Sequence, residues 1–148
     1  MTFLFDTNIL LHYVRKSALL SKIEQQFDPF GPGNEAWISA VSLGEIRSIA
    51  MQNQWGEKRT AQLDDFLLRF LVSDINFVPI IRQYAAIDAF SQARHPLHVS
   101  SFTARNMGKN DLWIAATASV LGATLLTTDA DFDHLNGVFL PVAKVAMP

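Results

Sequence analysis

Along the chain, short apolar runs alternate with longer stretches whose apolar positions recur at three- and four-residue spacing. TFLF (2–5) predicts a buried strand that ends at Asp6. Residues 8–15 and 18–27 predict helices, the first with Ile9, Leu10, Tyr13 and Val14 on one face. DPFGPGNE (28–35) predicts a loop, and AWIS (36–39) a second strand. A helix over 41–52 has Val41, Ile46 and Ile49 as core positions. After a break at Gly56, a longer helix spans 57–72, where Leu63, Phe66, Leu67, Phe70 and Leu71 repeat. NFVPI (76–80) predicts a third strand, followed by a helix to about Arg94. Residues 94–110 are polar, carry Pro96 and Gly108, and predict a loop with room for one helical turn. A helix over 111–121 has Asn110 as its N-cap and Gly122 as its stop. ATLLTT (123–128) and VFLPV (138–142) predict the fourth and fifth strands.

Such alternation predicts an α/β fold, with helices on both faces of a parallel sheet of about five strands. The 148 residues suit a single domain with a real core, and no repeat, low-complexity tract or linker divides them.

Composition narrows the chemistry. A hydrophobic content of 49% excludes a disordered chain. With no cysteine, a disulfide scaffold, a thiolate zinc site and a cysteine nucleophile are all excluded. MTFLFDTN has no basic leading segment and reads as neither signal nor transit peptide. The richest apolar stretch, VLGATLL, is too short for a membrane span and is broken by Gly122. The expectation is a soluble, cytoplasmic protein. The net charge of −2 argues against a bulk basic nucleic-acid binder. That argument lapses if Asp6, Glu45, Asp111 and Asp129 hold cations, because ten acidic residues then face twelve basic ones.

Those four acids occupy comparable places. Asp6 ends the first strand, Asp129 follows the fourth, Asp111 opens a helix, and Glu45 lies in an otherwise apolar helix face. In open parallel sheets, ligands bind beyond the carboxyl ends of the strands. Singly, each acid has an ordinary reading: Asp6 as an N-cap, Asp111 as a first-turn acid, Asp129 as a turn former and Glu45 as a solvated residue. Together they point to one pocket. Two carboxylates at about 4 Å repel by roughly 4 kcal/mol at an effective dielectric near 20. Four stay ionised only with a cation, and oxygen ligands favour Mg²⁺ or Mn²⁺. Such an ion activates water and neutralises charge on a phosphodiester, so no histidine base is required. The four histidines, His12, His95, His98 and His134, lack metal-ligand spacing, and His95 and His98 read as a solvated surface pair.

The motifs FDTNILL, SLGEI (42–46), NDLWIAATA (110–118) and LLTTDADFD (125–133), in this order, resemble the PIN-domain family, and most of all the VapC-type toxins of bacterial toxin–antitoxin pairs. The resemblance implies a three-layer α/β/α sandwich and an Mg²⁺- or Mn²⁺-dependent endoribonuclease leaving a 5′-phosphate and a 3′-hydroxyl. It implies Asp6 and Asp111 as chief metal ligands, with Glu45 and Asp129 completing the catalytic set directly or through water. Asn8 and Thr127 match positions that support the site by hydrogen bonds. Asp131 and Asp133 follow so closely that either could share the role of Asp129, which is nearest the strand end.

Phosphate contacts would come from Arg105 and Lys109, upstream of Asp111, with Arg15, Lys16 and Arg47 as further candidates. Trp37, Trp55 and Trp113 read as packing residues rather than base-stacking platforms. Apolar surplus on the helices around 9–27 and 57–71 could serve two interfaces. The resemblance implies a homodimer and a cognate antitoxin whose C-terminal segment lies in a groove and blocks the acids, and an apolar groove does accept an amphipathic helix. Rival readings are a Mg²⁺-dependent aspartyl-phosphate phosphatase, disfavoured by Asn8 where a second acid is needed, a phospho-receiver-like binding domain, and a catalytically silent RNA-binding scaffold.

Overall fold

Along β1 (Thr2–Phe5) and β4 (Thr124–Thr127), successive side chains go to opposite faces of a sheet, and this alternation divides the core in two. Leu4 and Leu125 pack with Ile80, Ile87, Leu112 and Ile114. Phe3, Phe5 and Leu126 pack on the other face with Ile9, Leu10, Ile46 and Leu63. The computed structural model that shows this describes residues 1–147.

Among the described residues the sheet has five strands in the order β3-β2-β1-β4-β5, all parallel. β2 is Glu35–Ser39, β3 Leu71–Ser73 and β5 Val142–Lys144. One layer holds α1 (Thr7–Val14), α2 (Leu19–Phe27), α3 (Ala40–Gln52) and α4 (Glu57–Leu67). The other holds α5 (Val78–Ser91) and α6 (Lys109–Leu121). Ala115, Ala116 and Ala118 are fully buried on α6, and these small side chains let the helix approach its neighbours closely. The result is a three-layer α/β/α sandwich, as expected. No helix among the described residues is long and apolar enough to cross a membrane.

Several expected boundaries are corrected. The third strand is Leu71–Ser73, not 76–80, and α4 accordingly stops at Leu67. Residues Val78–Ile80 instead open α5, where Pro79 sits in the first turn and its missing N–H would have had no helical partner. The fifth strand starts at Val142, after Pro141. At the start of α6, Gly108 rather than Asn110 is the N-cap, and Gly122 ends the helix at φ 64° as its type suggests.

Residues 94–107 contain no helical turn. They are pinned at their far end, where Arg105 N–H donates to the Ser91 carbonyl at 2.6 Å and the Ser91 hydroxyl lies 3.3 Å from the Met107 sulfur. His95 orders the loop too, its Nδ1 accepting from the backbone of Leu97 and His98. The tryptophans pack, as expected. Trp37 and Trp113 lie against one half of the core and Trp55 against the other, and Trp113 meets Tyr84 at 4.2 Å between ring centroids.

Candidate metal centre

Asp6 leaves the end of β1 and caps α1. Its backbone is extended, its N–H donates to the Leu126 carbonyl, and its carbonyl accepts from Ile9 and Leu10. This places its carboxylate at the carboxyl edge of the two central strands, buried to 3% exposure. Oδ1 accepts from the Thr7 N–H at 2.8 Å and Oδ2 from the Thr127 hydroxyl at 2.7 Å. Both bonds favour the charged form, yet burial outweighs them and pushes the carboxyl up to about 6, with Glu45 and Asp129 adding repulsion.

Asp111 lies in the first turn of α6, half-buried. Burial raises its carboxyl to about 7, and repulsion from Asp6, Asp129, Glu45 and Asp131 contributes. Five acids from four separate stretches of sequence therefore act on one another. Asp111, Asp129 and Asp131 each offer a carboxylate oxygen, and these atoms all lie within 4.8 Å of one another.

Hydroxyls hold the group in place. The Thr127 oxygen that donates to Asp6 also accepts the Asp129 N–H at 3.0 Å. The Thr7 hydroxyl lies 2.7 Å from Glu45 Oε1, to which it donates, and 3.0 Å from the Ser42 hydroxyl. Asp129 caps the short 3₁₀ helix Ala130–Leu135, accepting from Asp131 N–H at 2.9 Å. The N-cap reading of Asp6 thus holds alongside its place among the acids, and Asp129, read as a turn former, caps a short helix instead.

Not every expected residue joins the site. Asn8 is exposed, and the hydrogen bonds around Asp6 come from Thr7 and Thr127 instead. Asp133 is drawn off by Lys144, 2.6 Å away on the surface, so Asp131 is the acid that accompanies Asp129. Arg105 is exposed and borders a recess of about 190 Å³ with Asn106, Met107 and Asp131. Lys109 is exposed at the start of α6, two residues before Asp111. Arg47 is paired with Asp64 at 2.6 Å, and Arg15 and Lys16 lie beyond the far end of α1 from Asp6. Thr7 and Ser42 were not anticipated. Thr7 could have been, since it follows the strand-end acid at a helix start.

A carboxylate set with no nitrogen or sulfur donors is suited to a hard divalent cation, and two aspartates whose charged forms are disfavoured are what such a cation would relieve.

Comparison with known proteins identifies the family and the fold. Ribonuclease VapC2 of Haemophilus influenzae (strain ATCC 51907 / DSM 11121 / KW20 / Rd) is 23% identical over 137 residues, covering 87% of each chain. Among solved structures, VapBC2 from Rickettsia felis bound to a DNA fragment from their promoter superposes with a TM-score of 0.73 at 23% identity, covering 97% of this chain and 98% of that one. VapBC-1 from nontypeable Haemophilus influenzae gives 0.72 at 22% identity, covering 97% and 98%. At these identities the structures establish a common fold. The model described as PIN domain matches residues 3–138, all five acids included, and the chain belongs to the PIN domain family.

Proposed function

We propose that the protein is a divalent-metal-dependent endoribonuclease that hydrolyses RNA phosphodiester bonds, a single nuclease domain acting in the cytoplasm as the toxin of a type II toxin–antitoxin pair. The observation that carries this reading is the approach of Asp111, Asp129 and Asp131 to within 4.8 Å, with Asp6 and Glu45 close enough to perturb Asp111. The curated relative is named a ribonuclease, and the solved neighbours are VapBC complexes.

Asp6 and Asp111 would hold Mg²⁺ or Mn²⁺, with Glu45, Asp129 and Asp131 completing the set directly or through water. When bound, such an ion supplies an activated water and stabilises charge developing on the phosphodiester. The protein's own residues do the rest. Thr127 and Thr7 fix the carboxylates so that no reorganisation is needed on binding. Burial of Asp6 keeps bulk water from screening it. Arg105 and Lys109 would contact the substrate backbone. The products would be a 5′-phosphate and a 3′-hydroxyl.

A cognate antitoxin whose C-terminal segment blocks the acids would also have a seat for an adjoining helix beyond the far end of α1. Tyr13, Val14, Leu20 and Phe66 line a groove of about 540 Å³, rimmed by Lys16, Glu24, Asp65 and Arg69, which suits an amphipathic helix. A homodimer could use the exposed apolar side chains of Leu71 and Val72 on β3 and of Phe77, Val78 and Ile81 at the start of α5.

The test is direct. Antitoxin-free protein is incubated with RNA and Mn²⁺, with and without EDTA, beside Asp6→Asn. Cleavage should appear with Mn²⁺, vanish with EDTA and be lost in the variant. Equal cutting by Asp6→Asn and wild type would sink the reading, and phosphate release from small phosphoesters would favour a phosphatase.

A further inference from the structure

We propose that the cleft along α3 is a subsite for an unpaired nucleobase flanking the scissile bond, an assignment that rests on the ribonuclease reading above. Val41, Gly44, Glu45, Ser48, Ile49 and Gln52 recur at three- and four-residue intervals and line one cleft of about 510 Å³. That volume falls within the roughly 300–1,000 Å³ of small-ligand sites. Such spacing ordinarily marks a face pressed against a core. On α3, however, the fully buried positions are Ser42 and Ile46, on a different stripe. The cleft stripe leaves Gly44, Ser48 and Gln52 exposed.

Gly44 gives the clearest indication. Glycine inside a helix is unfavourable relative to alanine. Nothing in the chain demands it here, since a Cβ built at Gly44 meets no atom within 4 Å. Its absent side chain opens the helix backbone to a group from outside.

Position and charge select a base as that group. Glu45 lines the cleft and is also one of the five converging acids. Asn110, which also lines it, immediately precedes Asp111. A nucleotide whose phosphate meets the acids therefore has its base within reach of the cleft. No cation lines it, and Lys109 and Arg105 lie outside, so the phosphate chain does not run through it. Ile49 and the part of Val41 not packed against the core offer apolar wall to a flat ring. Gln52 Nε2 donates to Ser48 Oγ at 2.9 Å, which leaves Gln52 Oε1 and the Ser48 proton for a base edge. Asn110 adds an amide. Neutral edge pairing of this kind is how proteins read single-stranded RNA.

The experiment uses full-length protein and short RNAs carrying 4-thiouridine, with Ca²⁺ replacing Mn²⁺, photo-crosslinked and mapped by mass spectrometry. Crosslinks should fall within residues 40–52. Gly44→Leu, which fills the cleft, should lower their yield about tenfold or more. In a random RNA pool with Mn²⁺, Gln52→Ala should change the base preference beside the cut. Crosslinks mapping elsewhere, or unaffected by Gly44→Leu together with an unchanged preference in Gln52→Ala, overturn the proposal and leave this face of α3 to a protein partner. Crosslinking needs no cleavage, so the two readings fail separately. A protein that crosslinks at α3 but cuts nothing loses the nuclease reading and the placement beside a scissile bond, and keeps only the base contact on α3. One that cuts RNA without crosslinking there loses the subsite alone.

Discussion

The Thr127 hydroxyl donates to Asp6 Oδ2 at 2.7 Å across 121 residues of sequence, and its oxygen takes the Asp129 N–H at 3.0 Å. One buried hydroxyl thus orients one acid and positions the backbone of a second. Thr127→Val keeps the shape and removes both bonds. Urea unfolding should show a loss of about 1–3 kcal/mol, and calorimetry a Mn²⁺ affinity weakened roughly 10- to 100-fold. An unchanged Mn²⁺ affinity would remove Thr127 from the support of the site.

The acids give a pH dependence opposite to that of an ordinary paired carboxylate. Asp6 and Asp111 titrate near 6 and 7 in the folded, metal-free chain, against about 4 when unfolded. The folded state therefore holds their protons more tightly, and stability falls as pH rises from about 4 through 7. For Asp6 the loss is on the order of 3 kcal/mol, while Asp111, more open to solvent, adds less. In EDTA, wild type measured against Asp6→Asn should lose relative stability between pH 5 and pH 8, and Mn²⁺ should restore it at pH 8. A relative stability that rises over that range would contradict the burial of Asp6's charge.

Asp6→Asn should accordingly separate stability from activity. At pH 8 in EDTA its melting temperature should exceed that of wild type, because an unfavourable buried charge is gone. RNA cleavage and Mn²⁺ binding should both be lost. A variant less stable than wild type under those conditions would mean that the hydrogen bonds from Thr7 and Thr127 outweigh burial.

Two neighbouring aspartates should behave differently. Asp131 joins the close acidic group, whereas Asp133 pairs with Lys144 at the surface. Asp131→Asn should weaken Mn²⁺ binding. Asp133→Asn should leave it unchanged and alter stability by less than about 1 kcal/mol, as for other exposed ion pairs. The reverse ranking in a Mn²⁺ titration would exchange their roles.

Arg105 and Lys109 should act through charge. Arg105→Gln and Lys109→Gln should each weaken RNA binding across sequences and flatten its salt dependence by about one counterion. Loss of cleavage with RNA affinity and salt slope unchanged would place them elsewhere in the mechanism.

The parts of the fold that the sequence made legible are those where one local rule decides. β1, β2 and β4 are apolar runs with polar ends, and all three were anticipated. β3 was not, because Phe70 continues the apolar period of α4 while packing against Phe5 and Phe66 at 4.9 and 5.1 Å, so a helical pattern runs into a strand. Leu71 and Val72 lie exposed on the edge strand and give little signal of their own. Val78–Ile80 resembles a strand as a short apolar run, while Pro79 suits the first turn of the helix it opens. For the site, the acids stood out by position. Thr7 and Ser42 did not, since a small hydroxyl looks the same in a sequence whether it caps a helix or steadies a carboxylate.

The pairing of β1 with β4 also fixes when the pocket can exist during synthesis. A nascent chain that has emerged only as far as α6 already carries Asp6, Glu45 and Asp111, but lacks the strand that bears Thr127 and the turn that bears Asp129 and Asp131. Closure waits for β4 and the turn after it to emerge and dock beside β1, so three acids made earlier have no completed pocket to act in until then.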